Sequence, residues 1–116
     1  SMYQFSYADI QTDSIAEAKD RERQVLDRSI ELLVEAQQAG VDSFKSIEAI
    51  HFVHKVWTAL LDDLGNPENE LPKELRANLI SIGLWVLREA ESVRQGSSNN
   101  FDGLIEISQI IRDGLQ

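Results

Sequence analysis

Residues 79–87 read Leu-Ile-Ser-Ile-Gly-Leu-Trp-Val-Leu, nine positions with no charge and a single hydroxyl. A surface helix in a globular protein keeps one polar face. This segment nearly lacks one. It is therefore either a central helix surrounded on all sides, or a helix with a second apolar side turned to a partner. The surrounding chain has a formal net charge of −9, so so apolar a stretch stands apart from its context.

The helix that contains it is expected over residues 72–95, with Pro72 near the first turn, a favoured position, and Gly96 just past the end. Leu75, Leu79, Ile82, Gly83, Val86, Leu87, Ala90 and Val93 fall on one stripe, with Ile80 at its edge. Trp85 projects to the opposite side, among Glu74, Asn78, Ser81, Arg88 and Ser92, and Leu84 flanks it. Glycine inside a helix costs about 1 kcal/mol relative to alanine, and a close helix–helix approach is the usual reason to accept Gly83.

Working outward, a second helix is expected over residues 43–64, stopped by Gly65-Asn66-Pro67. Its stripe is Ile47, Ile50, Val53, Trp57, Leu60, Leu61 and Leu64, while Phe52 lies off it, toward Lys45 and Asp63. The first helix is expected over 14–39, with Ser14 and Glu17 as a capping box and Gly40 as the C′ residue. Ile15, Ala18, Val25, Leu26, Ser29, Ile30, Leu33 and Ala36 share its inner face, with Glu22 in the middle. An unpaired buried carboxylate is expensive, so the first turns should project past the core. The last helix is expected over 101–113, capped by Asn100 and ended by Gly114, with Leu104, Ile105, Ile107, Ser108, Ile111 and Leu115 inward.

Residues 2–13 form a leader in which Tyr3, Phe5 and Tyr7 alternate, a period that suits an extended strip laid against the helices. Short connections favour antiparallel neighbours. The expected architecture is all-α: one domain over residues 1–116, an antiparallel four-helix bundle with an extended aromatic N-terminal leader.

Composition narrows the function. Acidic residues outnumber Lys plus Arg by 20 to 11, which argues against direct nucleic-acid binding, because phosphate must be met by clustered cations. The one basic cluster, Lys19, Arg21, Arg23 and Arg28, is laced with Asp20, Glu22 and Asp27. No cysteine is present, so disulfides and thiolate metal sites are excluded. The longest apolar run falls well short of the roughly 20 residues of a bilayer span, so no membrane insertion is expected. The start, SMYQFSYADI, lacks the basic and apolar regions of a secretory signal.

His51 and His54 stand three apart on the second helix, but zinc wants three or four ligands, and the default for such a pair is an ordinary helix surface. No serine sits in a GxSxG elbow and no phosphate-binding glycine loop occurs. The expectation is a protein with no catalytic residues, no metal and no cofactor.

Large aromatics off the core stripe are the usual anchors of interfaces. Tyr3, Phe5, Tyr7, Phe52, Leu84 and Trp85 are therefore the candidate partner-binding residues. The plainer alternative is structural: the leader covers Trp85 and Leu84 and completes the fold. Three buried rings contribute roughly 1.5–3 kcal/mol each, and ordering the leader costs roughly 1–2 kcal/mol per residue. The balance is no better than near zero, so such a leader would yield to a better-fitting amphipathic helix. An apolar patch at Trp85 would equally serve self-association.

MYQFSYADI (2–10), RERQVLDRSIELL (21–33), the stretch from Val56 to Gly96 and NFDGLIEISQIIRDGL (100–115) together resemble the FlaF family of flagellar biosynthesis regulators. The turn at Asn66–Leu71 followed by LRANLISIGLWVLREAE (75–91) is the most specific part. The resemblance implies a non-enzymatic cytoplasmic protein required for flagellin production and export. It implies flagellin as the partner, bound as by a secretion chaperone, with FlbT as a second. Two other roles remain open: post-transcriptional control of flagellin synthesis through FlbT or flagellin mRNA, and an adaptor to the export apparatus. A looser analogy, with the flagellin chaperone FliS, suggests recognition of a helix in a groove.

Overall fold

The computed structural model describes residues 7–115. Four helices follow one another: α1 (Tyr7–Ala39), α2 (Phe44–Leu64), α3 (Lys73–Arg94) and α4 (Phe101–Asp113). The ends have local causes. Gly40 takes φ +103°, a conformation that other residues rarely adopt, and stops α1. Ser43 caps α2 by accepting the Ser46 N–H at 3.1 Å, and Asn100 caps α4 by accepting the Gly103 N–H at 2.9 Å. α3 starts behind Pro72 without a side-chain cap. The turn before it is held by Asn66 and Asn69, whose side-chain oxygens accept the N–H groups of Glu68 and Leu71.

The N-terminus departs from expectation. The extended leader over 2–13 is overturned for residues 7–13, which form the first turns of α1, so position 14 lies inside the helix and not at its start. Nothing between Tyr7 and Ala39 breaks a helix, no Gly or Pro. Once nucleated, a helix propagates cheaply through such a run, and a local capping pattern is outvoted. Tyr3 and Phe5 lie outside the described residues.

The helices pack in the order α4–α1–α2–α3, with neighbours antiparallel. α3 and α4, at the two margins, touch only sparingly. Leu26, Leu33, Val53, Trp57, Val86, Val93 and Leu104 are fully buried between the layers, with Ala36, Ala49, Ala90 and Phe101 beside them. α1 and α2 each have two neighbours, so each buries more than one stripe; Leu32 and Val56 are inside although the expected stripes omit them. Ile47 is the opposite case, expected inward and 64% exposed. Asp27 pairs with Arg112 at 3.2 Å, and Gln37 donates to Asp102 at 2.7 Å; together these tie α4 to α1.

Gly83 lets α2 and α3 approach closely. A Cβ there would meet Leu61 Cδ2 at 2.7 Å and Trp57 Cε3 at 3.2 Å. At 33 residues, α1 is about 50 Å long, most of the 56 Å long dimension of the molecule. Its first described buried side chain is Leu26, and Ile15 is 59% exposed. The first turns of α1 therefore project past the bundle, but Glu22, expected to lie beyond the core with them, is half-buried.

Candidate functional site

α3 and α4 are joined through residues 95–100, so they are close at that end. At the other end they part, and the gap is a cradle of about 660 Å³. Leu26 of α1 and Trp57, Leu60 and Leu64 of α2 form its floor. Leu75 and Leu79 of α3, with Leu71 of the preceding loop, make one wall; Ile110, Ile111 and Leu115 of α4 make the other. Three wall residues are open to solvent: Leu71 is 40%, Leu75 45% and Ile110 57% exposed. In a small bundle such side chains normally face a neighbour. Here no neighbour covers them among the described residues.

The polar residues of the cradle are Lys19 and Glu22 from α1, Asp63 from α2, and Asn69 and Glu70 from the loop. Glu22 is half-buried and makes no ion pair among the described residues. Burial pushes its carboxyl above the ordinary 4.5; the negative charge of Asp63 adds to the rise and Arg21 opposes it. Trp57 on the floor is 1% exposed, and its indole N–H has no acceptor among the described residues.

The candidates drawn from the sequence fall elsewhere. Phe52 and Trp85 are half-buried and pack against the core. Leu84 is 50% exposed on the side of α3 turned away from Leu75. None of the three lines the cradle. Tyr7 opens α1, and the alternating aromatic strip that was to include it does not extend into the described residues. The cradle's own residues were visible as stripe members (Leu64, Leu75, Leu79, Ile111 and Leu115), but periodicity does not say that a stripe is left uncovered at one end. Glu22 was the one usable signal.

A smaller hollow of about 320 Å³ lies between the start of α2 and the end of α3, lined by Val41, Ile47, His51, His54 and Arg94 among others. Both histidines are exposed. Arg94 is committed to Glu91, with Nε 2.9 Å from the carboxylate. Among the described residues no cluster of three or more His, Asp or Glu is arranged to hold a metal, and no helix is long and apolar enough to cross a membrane. The chemistry on offer is apolar docking with a few charges at the edge.

A family model described as "Flagellar protein FlaF" matches residues 3–115. Neither the curated proteins nor the solved structures gave a match.

Proposed function

The chain belongs to the FlaF family of flagellar proteins, and on that footing we propose that it is a non-enzymatic cytoplasmic chaperone that binds flagellin and promotes its production and export. The observation that carries this reading is the cradle between α3 and α4, walled by Leu71, Leu75 and Ile110 and left open among the described residues. A two-sided apolar gap over an apolar floor suits one amphipathic helix, laid in as the missing neighbour. Completing the burial of the three half-exposed side chains offers roughly 2–4 kcal/mol before the cost of association. The partner must therefore bring an apolar stripe of its own, as a polymerising subunit does. Hiding that stripe until export is the chaperoning step.

Leu84 favours a second contact. It stands half-exposed beside Trp85 on an otherwise polar side of α3, so a second segment of flagellin, or FlbT, docks there in this reading. Control of flagellin synthesis then follows indirectly, through which partner holds the protein.

Calorimetry with purified flagellin tests the proposal. The unaltered chain should bind, and the pair Leu75→Ala with Ile110→Ala should weaken binding by about tenfold or more. Leu84→Ala should have the smaller effect. If the unaltered chain fails to bind flagellin, the chaperone reading is lost; if only Leu84→Ala weakens binding, the site is the outer side of α3 and not the cradle.

A further inference from the structure

We infer that Glu22 and Asp63 make the cradle selective for a cationic amphipathic helix, one with Lys or Arg beside its apolar stripe. The inference rests on the cradle being a docking site, and it adds the charge of the occupant.

The two carboxylates reach the cradle from adjacent helices, α1 and α2, and the charge of Asp63 bears on Glu22. Glu70 adds a third from the loop. The walls from α3 and α4 contribute Leu75, Leu79, Ile110, Ile111, Gly114 and Leu115, none of them charged. On the other side stand Lys19, which forms no ion pair among the described residues, and Arg21, which acts on Glu22 only as the smallest of its influences. Arg23, the next cation along α1, is taken by Asp20. Three carboxylates facing one ammonium leave negative charge under-compensated at the edge of an apolar hollow; Glu22 is half-buried, where water screens less, while Glu70 and Asp63, which accepts from Asn69 Nδ2 at 3.4 Å, are exposed. A helix with an acidic flank would add to the repulsion. One with a cation at that flank would relieve it and seat its stripe.

An independent observation marks the cradle as built for a ligand. Trp57, which lines the floor, is 1% exposed, and its indole N–H has no acceptor among the described residues. Nearly all buried donors in folded proteins are satisfied, so an orphan on a side chain that lines a cavity points to an acceptor that arrives with the occupant. The cradle therefore recognises an apolar stripe, a flanking cation and a polar oxygen.

The test uses two synthetic amphipathic peptides of roughly 18 residues, five turns of helix, with the same leucine stripe and either Lys or Gln at its flanks. The host is the full chain carrying Trp85→Phe, which leaves Trp57 as its only indole and makes its fluorescence a reporter of the cradle. The Lys peptide should bind about tenfold tighter than the Gln peptide at low salt. The added pair Glu22→Gln and Asp63→Asn should bring the two affinities together, and the fold of that variant is checked by its circular-dichroism melt. The control pair Glu48→Gln and Glu106→Gln removes the same charge from exposed positions outside the cradle and should leave the preference in place. Equal binding of the two peptides by the host overturns the inference. So does a preference that survives in the cradle variant or disappears in the control. Flagellin is titrated separately. Flagellin binding without charge selection leaves the chaperone reading standing and removes this one; charge selection without flagellin binding does the reverse.

Discussion

The two ends of this bundle are made of similar residues and end up in different states. At the end where α1 finishes and α4 begins, Leu33, Ala36, Ala49, Ala90, Val93, Phe101 and Leu104 are sealed, and only the first turn of α2 leaves apolar side chains, Phe44 and Ile47, turned outward. At the other end Leu71, Leu75 and Ile110 stand open around the cradle. Hydrophobicity does not separate them, since leucine and isoleucine serve at both. Local closure does. The sealed end has the side-chain caps of Ser43 and Asn100 and the two tight glycine turns at Gly40 and Gly96. The open end has the longer connection from Gly65 to Pro72, an α3 start without a side-chain cap, and an α1 that runs on past its neighbours. What a stripe does depends on whether the chain returns to cover it.

That contrast breaks if stability and binding do not divide between the ends. Leu33→Ala at the sealed end should cost about 3 kcal/mol, read as a lower urea midpoint, a large share of the 5–15 kcal/mol typical of a domain. The fraction still folded should bind flagellin as before. Leu75→Ala with Ile110→Ala should do the opposite: the urea midpoint changes by less than about 1 kcal/mol, because both sites are already half-solvated, while flagellin affinity falls as given above. Loss of stability as large as that of Leu33→Ala would show the open end to be part of the core. Asn100→Ala sharpens the sealed side: loss of the cap should cost about 1 kcal/mol in the melt and leave flagellin binding untouched.

The smallest effect concerns acid. Glu22 has a carboxyl raised above 4.5 in the folded state, so the folded chain holds its proton to higher pH than the unfolded chain does. Its charged form is the destabilising one. The contribution of Glu22 is favourable in relative terms near and below pH 4.5 and declines as pH rises through the folded value. Glu22→Gln should flatten that decline and raise stability at neutral pH, measured as urea midpoints across a pH series. An unchanged slope would show that Glu22 is solvated after all.

Much of this fold is legible in the chain. The ends of α2, α3 and α4 follow from Ser43, Pro72, Asn100 and Gly114, and the close approach at Gly83 follows from the cost of glycine in a helix. The start of α1 is not legible, because Ser14 and Glu17 offer a local cap that the longer uninterrupted run overrides. The cradle is only half legible. Its leucines lie on the expected stripes, yet coverage depends on the splay of α3 and α4, which no periodicity encodes. Leu71 lies in a loop and Ile110 off the inner stripe of α4, so neither carries a signal at all. The exposure of Ile47 has the same origin: a stripe is an average direction, and its first turn can lie beyond the neighbour's reach.

Trp57 serves two contacts at once. One edge of its ring is pressed toward the bare backbone of Gly83, and the ring also underlies the cradle. With no Cβ on the far side to give way, the indole is backed as if by an anvil, whereas Leu71, Leu75 and Ile110 have solvent behind them. An incoming helix would thus be accommodated by the rims and resisted by the base. Guests of different girth would sit at the same depth and differ in how far they push α3 from α4.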